Sequence, residues 1–312
     1  MIDILEELKK GRIEVYSNKL SKKDIGGSLS KRFVRVSSDL FGDLWDKIAN
    51  GKTSAFTYVN NEVKNGNTPN YVSCMLKKVR NDQIKPKERV MNEQVSMAIA
   101  DFFGMPFAYM VPATIDGQLY TLSIDFVPFG YDTSSFFEFA NDDSLDLFSS
   151  LEEYSNLAYK TFFKNAKNVP NDKKYSYAQE KTEELIKQFF FKKYILGDGD
   201  ANGNNMGVLE SNNDLVLTPL FDNEQAFSSR INNDALVRDV VFLRKKYPKI
   251  LDDILNLKKS LFQNNYKKLR SSINPIVQDE KLSNQMMIFI VQNLTNIDVA
   301  NSMATAEGKD FF

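Results

Sequence analysis

A cluster of acids and amides between Asp198 and Asn205 contains two aspartates and three asparagines in eight positions. Asp200 and Asn205 are separated by four residues, and Asp222 follows after one predicted β-hairpin. Carboxylate and amide oxygens suit Mg²⁺, and an aspartate beside them can position an attacking hydroxyl or accept its proton. The spacing therefore favours a phosphoryl-transfer site, with Asp200 at the hydroxyl and with Asn205 and Asp222 on the metal.

Two other interpretations of this cluster compete with phosphoryl transfer. Asp-Gly and Asn-Gly pairs are common in polar surface turns. Asp198, Asp200 and Asn202 also match positions one, three and five of an EF-hand calcium loop, and Gly203 matches position six. Position twelve should be glutamate but is Leu209, and the segment after the loop is strand-like where an EF-hand needs a helix. Calcium binding is therefore kept as an alternative.

The composition excludes several kinds of catalysis. The chain has 312 residues, no histidine and a single cysteine, Cys74. A Ser-His-Asp triad, a Cys-His nucleophile and a histidine-ligated metal are therefore ruled out, as is an internal disulfide. The remaining chemistry belongs to carboxylate, amide, lysine and hydroxyl groups. A net charge of −1 and a pI of about 5.8 give no indication of nucleic-acid binding.

The sequence does not predict a membrane protein. The segment Met1–Lys10 is charged and helix-like, unlike a signal peptide. The longest strongly apolar run, Met286–Val291, is far too short to span a bilayer. We expect a cytoplasmic protein without a membrane partner, with signal-independent secretion as the alternative.

A glycine pair near the N-terminus predicts a turn that enters a strand. Gly26 and Gly27 are followed by Ser28, Ser30 and an alternating polar and apolar run. Such a turn can bring backbone N–H groups close to a phosphate, so Gly27 and Ser28 are candidate nucleotide-binding residues. The alternative is an ordinary turn.

The next segments add a lysine and a glutamate. The run from Tyr71 is a mainly apolar strand that ends in Lys77 and Lys78, and only one of these can face a given side of a sheet. The spacing from Pro86 to Phe103 predicts an amphipathic helix with Glu93 in its middle. Either lysine could reach nucleotide phosphates, or both could simply face water.

The remaining pattern predicts an α+β protein. Two strands meet around Asp116 and Gly117, which is a strong hairpin signal, and the pattern breaks after Asp125. Helical spacing dominates from about residue 143 onward. We therefore predict a small β-rich N-terminal lobe with one helix, residues 1–128, and a larger mainly helical lobe, residues 129–312.

The order of these features is that of a two-lobed kinase, and the residues resemble HipA-type serine/threonine kinases. The resemblance is carried by Ile195–Leu209, Leu217–Asp222 and Met91–Ala98, and it covers roughly residues 70–230. It includes the compact bacterial relatives of that family, which lack a separate N-terminal subdomain.

The resemblance implies a role for each candidate residue. Asp200 would be the catalytic aspartate, and Asn205 and Asp222 would hold Mg²⁺. Lys77 would contact the α- and β-phosphates of ATP and pair with Glu93, with Lys78 as the alternative lysine. The resemblance therefore implies ATP and Mg²⁺ as cofactors.

The resemblance also implies a hinge, and the chain departs from the family pattern around the site. Asp125 to Val127 would form the hinge beside adenine. Asn202 stands where the family commonly has a histidine, and Asn223 and Glu224 replace the Phe-Gly pair of protein kinases. The first departure affects the hydrogen bonds that support the catalytic loop.

The function implied is an ATP- and Mg²⁺-dependent protein kinase. By the resemblance it would be a toxin that acts on a translation component such as an aminoacyl-tRNA synthetase, with an antitoxin as partner. Autophosphorylation of Ser28 or Ser30 would place negative charge beside the ATP phosphates and switch the enzyme off. The alternatives are a small-molecule or lipid kinase on the same fold, and a non-catalytic pseudokinase or calcium-binding interaction module.

Overall fold

The protein forms two compact units, and the chain enters each of them twice. The computed structural model describes residues 1–15, 31–82, 84–141, 150–211, 214–229 and 231–307. The first unit contains Met1–Ser134 and Gly207–Glu224, and the second contains Ser135–Met206 and Gln225–Phe312. The division into two lobes, residues 1–128 and 129–312, stays a prediction.

The first unit is built on a six-stranded sheet with the order β1-β7-β8-β5-β3-β2. Strand β1 pairs with β7 in parallel, and the other neighbours are antiparallel. The strands are β1 (Ile2–Asp3), β2 (Ile13–Val15), β3 (Lys31–Ser37), β5 (Tyr71–Lys78), β7 (Met110–Ile115) and β8 (Gln118–Ile124).

The central strand β5 shows why the sheet has a buried face. Val72, Cys74 and Leu76 alternate along it and are almost completely buried. The predicted hairpin between β7 and β8 is present, and its turn residues Asp116 and Gly117 both have positive φ, 48° and 74°. These are the angles that a two-residue hairpin turn requires, which explains the Asp-Gly sequence.

Helices and two small sheets complete the first unit. The predicted amphipathic helix is α4, which begins with Pro86 and ends at Phe102 before Gly104, whose φ is 66°. The other helices are short: α1 (Ile4–Lys9), α2 (Leu44–Ala49) and α3 (Asn60–Lys64). Strands β4 (Ala55–Phe56) and β6 (Phe107–Ala108) pair, and β9 (Asp132–Ser135), β10 (Gly207–Glu210) and β11 (Leu215–Leu217) form the third sheet.

The described part of the second unit is helical. Aromatic rings fill its centre: Phe136 and Phe162 are fully buried, and both contact neighbouring rings at centroid distances near 6 Å. Its helices are α5 (Phe136–Ala140), α6 (Leu151–Asn165), α7 (Lys174–Phe190), α8 (Asn233–Lys246), α9 (Pro248–Ser260), α10 (Tyr266–Val277) and α11 (Glu280–Glu307).

A buried carboxylate joins three helices of this unit. Asp239 on α8 is 1% exposed and accepts hydrogen bonds from the Tyr194 hydroxyl, at 2.6 Å, and from the Leu151 N–H, at 3.2 Å. The Lys193 ammonium lies 3.4 Å from the same side chain. A buried charge is tolerable only with such partners, so Asp239 fixes the start of α6 against α8.

Some elements differ from the sequence-based expectation. The spacing of apolar residues predicts one long helix from Tyr177 to Leu196, but α7 ends at Phe190 and a π-helical turn, Phe191–Ile195, leads into the acid and amide cluster. The sequence predicts a loose tail from Ser302, but α11 continues to Glu307. No helix in the described ranges has the length and apolarity needed to cross a bilayer.

Candidate active site

In the first unit, Lys77 on β5 contacts Asp222, which lies 145 residues further along the chain. The Lys77 Nζ atom is 2.6 Å from Asp222 Oδ1. The Lys77 side chain is 12% exposed, while Lys78 points to the other face of the strand and is exposed. Of the two lysines that the sequence left open, the structure therefore brings Lys77 to the predicted metal-binding aspartate.

A second acid in the same cluster was not predicted from the sequence. Glu224 Oε2 lies 4.0 Å from Lys77 Nζ, and Glu224 Oε1 lies 3.0 Å from Arg89 NH1 and 3.9 Å from Arg80 Nε. The Asn92 side-chain amide donates to the Glu224 backbone carbonyl at 3.3 Å. The available signal is an acid two residues after Asp222, at a position where the chain departs from the kinase pattern.

The electrostatics of the cluster keep the lysine charged. Burial by itself lowers the pKa of Lys77, but nearby carboxylates outweigh this effect and hold that pKa above its ordinary value. These carboxylates belong to Asp222, Glu224 and Glu93. Burial also raises the pKa of Glu224, against the attraction of Lys77 and Arg89. Lys77 is therefore a firmly protonated cation, suited to binding anions.

Asp222 has an unusual backbone conformation. Its φ is 53°, in the left-handed region that residues other than glycine rarely adopt, and its side chain is 31% exposed. The preceding Phe221 stacks on Phe126 with a centroid distance of 5.8 Å. Conformational strain of this kind is commonly found at functional positions, where the surrounding packing maintains it.

The predicted hinge is bound to its neighbours by backbone hydrogen bonds. The Asp125 N–H donates to the Ser73 carbonyl at 2.9 Å, and the Asp125 carbonyl accepts from the Tyr58 N–H at 3.0 Å. The Asp125 carboxylate accepts from the Val127 N–H at 3.0 Å. Phe126 and Val127 belong to a buried apolar cluster with Ala108 and Leu209, against which Phe221 packs.

In the second unit, Asp198 is buried and bound to other residues of the protein. It is 3% exposed, its Oδ2 atom lies 3.5 Å from the fully buried Lys192 ammonium, and its Oδ1 atom accepts from the Asp200 N–H at 2.9 Å. An EF-hand would instead need this carboxylate on a shared calcium ion. The segment that follows is strand β10 rather than a helix. These contacts do not favour the calcium alternative.

The loop from Asp200 to Asn205 is held by its own amides. Asn202 Nδ2 donates to Asp200 Oδ1 at 2.8 Å, and Asn202 Oδ1 accepts from the Asn204 N–H at 2.8 Å. Asn205 Nδ2 donates to the Asp200 carbonyl at 2.8 Å, so Asn205 Oδ1 is the amide atom that can coordinate a cation. Asn202 therefore supplies hydrogen bonds to the loop in place of the histidine of the resembling family.

Close packing against rings shapes this loop. A Cβ added to Gly203 would lie 2.3 Å from the ring of Phe137 on α5. A Cβ added to Gly197, whose φ is 57°, would lie 2.5 Å from the ring of Phe289 on α11. Glycine is required at these two positions because the ring occupies the space of a side chain.

The candidate residues are divided between the two units. Lys77, Glu93, Asp125, Val127 and Asp222 belong to the first. Asp200 and Asn205 belong to the second. Gly27, Ser28 and Ser30 lie outside the described residues.

The donor atoms fit a hard cation. Asp222 offers a carboxylate and Asn205 an amide oxygen, and Mg²⁺ typically uses one or two carboxylates together with phosphate and water oxygens. In the part of the chain that the structure describes, no three cysteine, aspartate or glutamate side chains are grouped as a metal site. Asp222 in the first unit and Asn205 in the second unit are therefore, each by itself, of a ligand type that Mg²⁺ accepts.

No family model matches the sequence, and no curated protein matches it. Among solved structures, the Helicobacter pylori proinflammatory kinase CtkA matches with a TM-score of 0.50 and 17% identity, over 76% of this chain and 90% of that one. The Shewanella oneidensis MR-1 toxin-antitoxin complex of HipA, HipB and operator DNA matches with a TM-score of 0.48 and 10% identity, over 96% of this chain and 72% of that one.

The likeness to CtkA concerns the fold. It confirms the predicted α+β kinase-like class, with a β-rich N-terminal region and a helical C-terminal region. The resemblance to kinases inferred from Met91–Ala98, Ile195–Leu209 and Leu217–Asp222 is confirmed at that level. At this identity the likeness does not extend to individual residues, so their roles rest on the contacts described above.

Substitution Gly203→Ala tests the packing of the loop. The new methyl group would overlap the Phe137 ring, and we expect the free energy of unfolding to fall by about 1–3 kcal/mol. Chemical denaturation of the purified variant measures this change.

The matched control replaces the Phe137 ring with a smaller side chain. The double variant Gly203→Ala, Phe137→Leu should lose less stability than the sum of the two single variants, because the smaller side chain makes room for the methyl group. Additive losses would show that the ring is not what requires glycine at this position.

Proposed function

We propose that this protein is an ATP- and Mg²⁺-dependent serine/threonine protein kinase of HipA type. The observation that carries the proposal is the contact between Lys77 Nζ and Asp222 Oδ1 at 2.6 Å. The family resemblance implies phosphate binding for the lysine and metal binding for the aspartate, although the two lie 145 positions apart. Their meeting in one half-buried cluster brings a cation and a candidate metal ligand together, which supports a phosphoryl-transfer site. The kinase-like fold supports the same function.

Lys77, Glu93 and Asp200 would each have a separate role in phosphate transfer. Lys77 would bind the α- and β-phosphates, since its ammonium is held as a cation among carboxylates. Glu93 would help to keep that charge in place. Asp200 would orient the acceptor hydroxyl and take its proton, and the hydrogen bond from Asn202 holds its carboxylate in one orientation.

Metal and nucleotide would be held by the remaining candidates. Asn205 and Asp222 would supply oxygen ligands to Mg²⁺, which when bound with ATP neutralises phosphate charge. Asp125 and Val127 would form the hinge beside adenine, and Gly27 and Ser28 would approach the phosphates. In these terms residues 1–128 are the nucleotide-binding lobe and residues 129–312 the lobe that carries the catalytic loop.

The substrate and partner follow from the family resemblance. We propose a protein acceptor, with a translation component such as an aminoacyl-tRNA synthetase as the first class to examine, and an antitoxin that restrains the kinase. Such a kinase would act in the cytoplasm, where translation takes place, and would need no membrane or direct nucleic-acid contact.

Substitution Asp200→Ala tests the reaction. Transfer of phosphate from labelled ATP with Mg²⁺ to a protein acceptor should fall about 100-fold or more, because the acceptor hydroxyl loses its carboxylate. The exposed Asp172→Ala variant is the matched control and should retain the wild-type rate. Equal labelling by wild type and Asp200→Ala would contradict the proposal, and labelling only of metabolites or lipids would identify a different acceptor class.

Substitution Asn202→Ala tests how the catalytic carboxylate is held. The variant loses the hydrogen bond to Asp200 Oδ1 and the one from the Asn204 N–H. We expect the rate of transfer to fall by about 10- to 100-fold, because the aspartate can then leave its productive orientation. The Asn204→Ala variant serves as control, since that side chain is exposed and only its backbone is used in the loop. Similar losses in both variants would show a general effect on the loop.

Phosphorylation of Ser28 or Ser30 is the third test. Protein produced in active form should carry phosphate on one of these serines, whereas the Asp200→Ala form should carry none. The added negative charge would oppose the ATP phosphates, so the phosphorylated fraction should bind ATP more weakly. Peptide mass spectrometry measures the modification. Active protein without phosphate at either serine would contradict the predicted autophosphorylation.

A further inference from the structure

We propose that Glu224 is a positioning residue that links helix α4 to Lys77, an inference that rests on the proposed kinase function. Glu224 lies among three cations of the first unit, of which Lys77 and Arg89 are the two well-buried ones and Arg80, at 3.9 Å, is 37% exposed. One carboxylate oxygen is 3.0 Å from Arg89 on α4, and the other is 4.0 Å from the ammonium of Lys77 on β5. A single carboxylate thus connects the helix to the lysine strand.

The contact between Arg89 and Glu224 is buried, so its electrostatic interaction is strong. The side chains of Arg89 and Glu224 are 4% and 11% exposed. Charges in such surroundings are weakly screened, so each partner contributes strongly to the electrostatic balance of the other. The second partner of Arg89 is Asp82, whose side chain is 46% exposed and therefore better screened by water.

Helix α4 holds the backbone of Glu224 as well as its carboxylate. Asn92 Nδ2 donates to the Glu224 carbonyl oxygen, while Arg89 contacts the side chain. Arg89 and Asn92 are three positions apart on one helix, so they lie on the same face about one turn from each other. Glu224 is therefore fixed at two points by a rigid element.

The link becomes important when Asp222 acts on a metal. Lys77 is held at 2.6 Å by the Asp222 carboxylate, and Glu224 is a second carboxylate at the limit of ion-pair distance. A carboxylate that coordinates Mg²⁺ shares its negative charge with the ion and attracts the lysine less. Glu224 would then keep Lys77 directed toward the phosphates, acting through its charge and without transferring a proton.

Isosteric substitution of the linking residues tests the inference. Glu224→Gln removes the charge with little change in shape, and Arg89→Gln removes its partner on α4. We expect each single variant to raise the KM for ATP about 10-fold, with a smaller change in kcat. The double variant should raise KM by much less than the product of the two single effects, because both substitutions break one link.

Two further variants separate positioning from a general structural effect. Asp82→Asn removes the exposed partner of Arg89 but leaves the link, so its KM for ATP should stay within about twofold of wild type. Arg89→Lys keeps the charge and should recover part of the affinity that Arg89→Gln loses. A folded Glu224→Gln protein with wild-type KM, or effects that multiply independently in the double variant, would overturn the inference.

A measurement without nucleotide distinguishes this inference from the proposed function. Wild-type protein that neither binds ATP nor transfers phosphate would contradict the function. The link would then be judged by Tm, comparing Glu224→Gln, Lys77→Met and the double variant. We expect the Tm shift of the double variant to differ clearly from the sum of the single shifts, and an additive result would overturn the link.

Discussion

A lysine ammonium held within a half-buried group of carboxylates is the interaction on which the first unit depends. Burial lowers the pKa of Lys77, whose side chain is 12% exposed, and nearby carboxylates, chiefly those of Asp222 and Glu224, outweigh that effect. The chain must return from residue 207 to bring both acids to the sheet. Strand β5 supplies the lysine, α4 supplies Arg89 against Glu224, and the stacked ring of Phe221 supports the strained backbone of Asp222. Charge balance therefore accounts for much of the local architecture.

Burial separates two acids that look alike in the sequence. Asp198 and Asp200 are two positions apart, but Asp198 lies beside the buried Lys192 and supports the N–H of Asp200. Asp200 is only partly buried, and its carboxylate accepts from Asn202. An acid committed to a buried cation is poorly suited to take a proton, whereas an oriented and partly exposed one can. Asp198 is therefore committed to the buried Lys192, whereas Asp200 is the acid for which we propose a chemical role.

The kinase-like fold and the side-chain contacts around Lys77 are two separate features of this protein. The likeness to CtkA concerns the backbone and says nothing of side chains at 17% identity. The contacts of Lys77, Asp222 and Glu224 concern side chains and would have the same chemistry on another fold. Asn202 and Glu224 are positions at which this chain departs from the resembling kinases, because an amide binds the carboxylate of Asp200 and an acid follows two positions after Asp222.

The sequence by itself determined what depends on local order. The Asp116 and Gly117 turn predicts the β7–β8 hairpin and the Pro86–Phe103 pattern predicts α4, and the structure contains both. The phosphoryl-transfer chemistry that the spacing of Asp200 and Asn205 favours stays a prediction. Tertiary structure alone decided which lysine meets Asp222, since strand alternation permits either until the sheet has a buried face. It also decided that Glu224 bridges Arg89 and Lys77. The role of a charged residue depends on its burial and its partners, and both come from residues that are distant in the chain.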